Sequence, residues 1–169
     1  MEITGDTLIR VLSCPEWDKQ VREILEALGL GRIEMSGEFF SEDFYVEKYD
    51  LGLGFSYVCK TSQQYEKSDL NDIYLNKVSF KKNCSIPLPF GLEKGDSYDT
   101  CINKIKAHTQ LLKHFRANPS MGRLQLQDKE KQYFFIMGFS ENEKQGLEDI
   151  VMHPVDVEED YSHLEQYEV

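Results

Sequence analysis

Apolar residues in the first third of the chain repeat with the period of a helix. Trp17, Val21, Ile24, Leu25 and Leu28 fall at i, i+4, i+7, i+8 and i+11, which is one face of an amphipathic helix. Ser13 and Glu16 ahead of it have the spacing of a capping box, and Gly29 and Gly31 close it. Residues 6–12 fit one short helix stopped before Pro15. The period then shortens to two. Residues 42–49 and 52–59 predict a β-hairpin turning near Asp50, with Leu53, Phe55, Tyr57 and Cys59 alternating with Gly52, Gly54, Ser56 and Val58. The small residues on one face of 52–56 leave room for a bulky, close-packed neighbour, expected to be a helix. A polar loop is predicted over 61–69. A strand follows over 72–81, its alternation slipping at Asn76–Lys77 as at a bulge.

Residues 87–97 (P-L-P-F-G-L-E-K-G-D-S) read as a hinge between two halves. Two prolines fix φ, two glycines permit positive φ, and Asp96 is placed to accept from the first amides of a following helix. In that helix Cys101, Ile105, His108, Leu112 and Phe115 share a face, so it is expected to run on to just before Asn118-Pro119. Residues 122–127 alternate as a half-exposed strand does. Residues 131–139, apolar on both faces, predict the most buried strand, with a bulge at Gly138. The last strand is 146–153, closed by Pro154.

The two halves echo each other. Asp18 and Ile24 match Asp96 and Ile102, and Leu70-Asn71-Asp72-Ile73-Tyr74-Leu75 matches Leu147-Glu148-Asp149-Ile150-Val151-Met152, both at an offset of about 78 residues. The predicted class is α+β: two tandem repeats, each a helix followed by antiparallel strands, sharing one curved sheet. The first repeat, with its short N-terminal helix, covers 1–86 and the second 87–155, leaving 156–169 as an acidic tail with few apolar anchors.

Charge narrows the choice of partner. The net charge is −11, from 30 acidic against 19 basic side chains, which argues against direct binding of nucleic acid. Six acids in the tail have no Lys or Arg among them. A second cluster, Glu34, Glu38, Glu42, Asp43, Glu47 and Asp50, is opposed by Lys48 alone. Such clusters attract basic proteins and repel anionic ligands. No apolar run approaches the roughly 18 residues that span a bilayer, and the start of the chain lacks the pattern of a secretory signal, so no membrane partner and a cytoplasmic location are expected. The four cysteines, Cys14, Cys59, Cys84 and Cys101, are scattered as reduced thiols are.

Candidate chemistry is sparse. Histidines at 108, 114, 153 and 163 have no metal-ligand spacing, and no phosphate loop, nucleophile elbow or complete dinucleotide fingerprint is present, so neither cofactor nor metal is expected. Cys101 near a helix start is either an activated thiolate or an inert core cysteine, and its place on the apolar face favours the second. Asp72 and Asp149 occupy matching strand positions and read as structural rather than as an acid/base pair. Lys104, Lys106, Lys113 and Arg116 give the second helix a basic side that complements its C-terminal dipole or nearby acids.

Four stretches carry a resemblance: Pro15-Glu16-Trp17-Asp18-Lys19-Gln20-Val21 into Leu25-Glu26-Ala27-Leu28-Gly29-Leu30, Tyr49-Asp50-Leu51-Gly52-Leu53-Gly54-Phe55, Leu70-Asn71-Asp72-Ile73-Tyr74-Leu75, and Leu88-Pro89-Phe90-Gly91-Leu92 with Gly95-Asp96-Ser97. Over residues 6–155 the chain resembles immunity proteins of bacterial polymorphic-toxin systems, those that neutralise toxins delivered by contact-dependent or type VI secretion. Its plan is similar to the tandem-repeat fold of β-lactamase inhibitor protein. The resemblance implies a non-enzymatic inhibitor that binds a cognate toxin domain, and the acidity suits a basic nuclease. The alternatives are a structural or adaptor protein of the same fold and, third, a small hydrolase using exposed carboxylates. The partner-binding surface is placed on Glu38, Phe39, Phe40, Glu42, Asp43, Tyr45 and Glu47, where carboxylates lie among more aromatic side chains than one strand needs for a core.

Overall fold

Thr4 starts the first helix with a reciprocal cap: its hydroxyl accepts from the Thr7 amide at 3.2 Å, and the Thr7 hydroxyl accepts from the Thr4 amide at 2.9 Å. Helix α1 (Gly5–Arg10) then buries Leu8 and Ile9. The structure, a computed structural model, describes residues 2–30, 43–59, 73–108, 111–116, 123–128, 133–140, 146–154 and 165–167.

Helix α2 (Lys19–Ala27) is capped by Asp18, whose carboxylate accepts from the Gln20 and Val21 amides at 2.7 and 3.3 Å. The capping box expected at Ser13 and Glu16 is not formed. Ser13 stands at φ 66° in the turn after α1 and gives its amide to the Leu75 carbonyl at 2.7 Å. Trp17 precedes the helix and is 52% exposed, so the buried face consists of Val21, Ile24, Leu25 and Leu28. At the other end the amides of Gly29 and Leu30 donate to the carbonyls of Glu26 and Leu25, the paired bonds of a Schellman motif. Gly31 lies outside the described residues.

Among the described residues one sheet receives every strand. Its members are β1 (Asp43–Lys48), β2 (Leu53–Cys59), β3 (Ile73–Phe80), β4 (Leu111–Arg116), β5 (Arg123–Asp128), β6 (Tyr133–Phe139), β7 (Leu147–Pro154) and β8 (Glu165–Tyr167), in the order β1-β2-β3-β7-β6-β5-β4-β8 with antiparallel neighbours throughout. The register places Phe55, Val78, Met152, Phe135 and Leu126 on one face, where they form a single core with the buried faces of α1, α2 and α3 (Tyr98–His108). The class is therefore α+β, as the patterning predicts.

The predicted hairpin is present, turning through a single 3-10 turn at Tyr49–Leu51 and Gly52. The bulky neighbour expected over its small residues is not a helix. It is Tyr45 from the adjacent strand, and a Cβ on Gly54 would lie 3.0 Å from the tyrosine Cζ. The slip predicted in the third strand is real: pairing jumps from Ser56–Lys77 to Tyr57–Leu75, leaving Asn76 extra. The bulge expected at Gly138 falls across from it, where Glu148 of β7 is the added residue. β6 is buried along both faces, as its composition requires.

Strand β3 shares its second edge between two partners. Val78–Phe80 pair with β7, while Leu75 exchanges backbone hydrogen bonds with Ser13 and Cys14, and Pro15 bridges Tyr74. That edge is thus covered at Tyr74–Leu75 by the segment before α2 and at Val78–Phe80 by β7.

The 87–97 segment does not behave as a hinge. Leu88, Pro89, Phe90 and Leu92 are buried, and Gly5 lies so close beneath Pro89 that a Cβ there would sit 2.7 Å from the Leu88 carbonyl carbon. The Gly5 amide donates to the Pro87 carbonyl at 2.7 Å. Phe90 holds φ 59°, a region that costs a non-glycine residue energy, and is kept there by its packing and a bond from its amide to Asp6. Asp96 does not cap α3. Its carboxylate accepts from the Glu93 amide at 2.8 Å and pairs with Lys104, while the Ser97 hydroxyl one residue later accepts from the Thr100 amide at 3.2 Å.

Two expectations for the second half are overturned. The helix stops at His108, and Leu111–Arg116 is strand β4 rather than two further helical turns. The order L-L-K-H-F-R does not itself alternate, and β5 on one side with β8 on the other supplies the hydrogen bonds that decide for a strand. The tail is not wholly without anchors either. Glu165–Tyr167 forms β8, its register setting Glu165 opposite Arg116, so that an acidic sequence completes an otherwise open edge.

Candidate functional site

Strand β1 ends the sheet order, and its alternation sends Tyr45 and Glu47 to the face away from the helices, across from Ser56 and Gly54. Tyr45 is 52% exposed and Tyr49, in the turn that follows, 76%. Both rings flank one cation: the Lys81 ammonium lies 5.8 Å from the Tyr45 ring centroid and 5.7 Å from that of Tyr49, and it is ion-paired with Glu47.

Local folding builds this group. Gly54 lets the Tyr45 ring lie across β2, since any side chain there would fill the same space. The hairpin turn brings Tyr49 back over the strand end. The Lys81 amide donates to the Gly52 carbonyl at 2.8 Å, which fixes the lysine against the turn, and Asn83 donates its side-chain amide to the Tyr49 carbonyl at 3.4 Å. Lys94, on the following loop, donates to the Lys81 carbonyl at 2.7 Å and to the Glu148 carbonyl, tying this corner to β7.

The charges respond to one another. The Lys81 ammonium first, and the phenols of Tyr45 and Tyr49 after it, hold the Glu47 carboxyl below its ordinary range. Glu47 raises the Lys81 ammonium in return. Burial, then Glu47, pushes Tyr45 up, and Glu47 does the same for Tyr49. Lys48 pairs with Asp50 at 3.2 Å and Lys82 with Glu148 at 2.8 Å on the same corner.

Of the residues assigned to the partner surface from sequence, Tyr45 and Glu47 belong to this group. Tyr45 supplies the exposed aromatic the composition calls for, whereas the Glu47 carboxylate is already engaged within the protein. Asp43 begins β1 opposite Val58. Glu38, Phe39, Phe40 and Glu42 lie outside the described residues, as does Asp72. Sequence reasoning passed over Tyr49 and Lys81. Tyr49 continues the aromatic run that begins at Phe39, and that signal was there to be used; Lys81 reaches Glu47 only through the β2–β3 register.

The other candidate residues have plain environments. Cys101 is fully buried, and burial first and Asp96 second push its thiol up to about 12, the opposite of an activated thiolate. Cys14, Cys84 and Cys101 are free thiols. His108 tilts against the Phe90 ring with centroids 5.8 Å apart. The Asp149 carboxylate folds over Gly138. Lys104, on the basic side of α3, pairs with Asp96 at 2.8 Å and Glu93 at 3.8 Å, acids ahead of its own helix. Among the described residues no three His, Cys, Asp or Glu side chains gather as metal donors, and no helix is long and apolar enough to cross a membrane. No family model, curated protein or solved structure matches the chain.

Proposed function

We propose that this protein is a cytoplasmic immunity protein that binds a cognate bacterial toxin, a basic nuclease domain, and covers its active site or substrate surface. The observation that carries the reading is the pair of exposed tyrosines, Tyr45 and Tyr49, on the hairpin that ends the acidic segment 34–50. Interfaces draw their energy from aromatic anchors, and a net charge of −11 speeds encounter with a basic partner. The partner surface is Glu38, Phe39, Phe40, Glu42, Asp43, Tyr45 and Glu47, extended by Tyr49. The sheet is two tandem repeats on this reading. A shift of about 78 residues puts α2 on 97–105, within one residue of the start of α3, and β1 on 121–126, overlapping β5. The two repeats meet where β3 pairs with β7.

The test is co-expression with the toxin encoded by the neighbouring gene. Cells survive with the intact protein and die without it, and survival in both arms rejects the reading. Reversing charge at Glu38, Glu42 and Asp43 together, with Tm unchanged, weakens binding at least tenfold, about 1.4 kcal/mol. An unaltered affinity moves the interface elsewhere.

A further inference from the structure

We infer that Tyr45, Tyr49 and Glu47 form a receptor for a guanidinium or ammonium group of a partner protein, and that in the free protein Lys81 fills it as a built-in surrogate. Two tyrosine faces within 6 Å of one cation, with a carboxylate completing the ring, are the recognition chemistry for a positively charged side chain. Here that chemistry is turned outward. Tyr45 and Tyr49 keep 52% and 76% of their surface in solvent, while Glu47 retains 16% of its side-chain surface beneath them.

The group is built rather than incidental. Gly54 clears the space Tyr45 occupies, and the close fit of Gly52 against Asn83 and Cys84 sets the turn that carries Tyr49. Lys81 is tied down by its main chain, through its amide to Gly52 and its carbonyl to Lys94, so its side chain is free to leave without disturbing the scaffold. Lys81 keeps 36% of its side-chain surface in solvent, so its ammonium can be rehydrated as it leaves, and the incoming cation restores the pairing of the half-buried Glu47 carboxylate. An incoming arginine gains more than Lys81 does, because its planar fork stacks on a ring and meets a carboxylate with two hydrogen bonds. The surrounding net negative charge favours the same class of ligand.

This deepens the inhibitor reading and rests on it for the identity of the partner alone. The probe is a capped pentapeptide, Gly-Arg-Gly-Arg-Gly, titrated into protein labelled at tyrosine and followed by the ring resonances of Tyr45 and Tyr49. Its glutamate twin is the control. Lys81→Gln, which vacates the receptor, is expected to bind the arginine peptide at least fivefold more tightly than the parent. Adding Tyr45→Leu and Tyr49→Leu to that variant is expected to abolish the shifts, and the glutamate peptide to produce none. Lys81→Met serves as a second vacating variant where the glutamine form melts early. Equal or weaker binding by the vacated forms overturns the proposal, and so does binding that survives loss of both tyrosines. Either result leaves the toxin-protection assay untouched, so the two readings fail separately.

Discussion

The backbone amide of Phe90 donates to the Asp6 carboxylate at 3.0 Å, across 84 positions of sequence. That bond holds a phenylalanine in left-handed conformation while its ring packs 5.6 Å from Phe135. Asp6→Ala is expected to cost about 1.5–3 kcal/mol in urea unfolding, the range for a hydrogen bond to a charged group. Gly5→Ala next to it is expected to cost about 3 kcal/mol, because its methyl meets the main chain at Leu88 and Pro89. A loss below about 0.5 kcal/mol for both would mean that the 87–97 segment is held by its own turns and not by α1.

Acid should loosen the β1 corner. The Glu47 carboxyl sits lower in the folded protein than the ordinary value of about 4.3, so its contribution to stability is complete above that pH and is lost as pH falls through the folded value. The stability difference between the parent and Glu47→Gln should be largest near neutrality and shrink below about pH 4. A difference that stays constant down to pH 2 would detach the carboxylate from the fold.

Cys101 supplies the alkaline counterpart. Its thiol is raised from 9.0 to about 12, so folding retains a proton that the unfolded chain releases, and stability falls as pH rises between those values. Cys101→Ala should flatten that decline, and an aromatic disulfide reagent at pH 8 should modify Cys101 only on unfolding. Rapid labelling of the native protein would contradict its burial.

Removing residues 155–169 should cost about 1–3 kcal/mol and promote self-association. Three register pairs between β4 and β8 are lost, each hydrogen bond being worth about 1 kcal/mol, and Leu111–Arg116 becomes an open edge. A truncated chain that stays monomeric and equally stable would show that β8 contributes nothing to the sheet.

What could be read in advance follows from how local each signal is. The 43–59 hairpin and the slip at Asn76 announce themselves within a few residues, since alternation and its failure are properties of the strand itself. Leu111–Arg116 does not. Cys101, Ile105, His108, Leu112 and Phe115 continue a helical face on paper, Leu111–Arg116 has no period-two pattern to set against it, and the choice rests with β5 and β8 further along the chain. The tail misleads for the same reason: its charge speaks against burial, but an edge pairing needs backbone rather than apolar side chains. At the candidate site Tyr45 was visible as one aromatic too many, whereas Lys81 lies 34 residues from Glu47 and meets it only through the sheet.

The divided edge of β3 matters most while the chain is being made. Leu75 can find Ser13 and Cys14 as soon as the strand leaves the ribosome, since those residues are already outside. Val78–Phe80 have no such partner, because β7 begins roughly seventy residues later. At about 5–20 residues per second of synthesis, that half of the edge stays uncovered for roughly 3–14 seconds. Chaperone capture of nascent chains should therefore peak between the emergence of Phe80 and that of Met152.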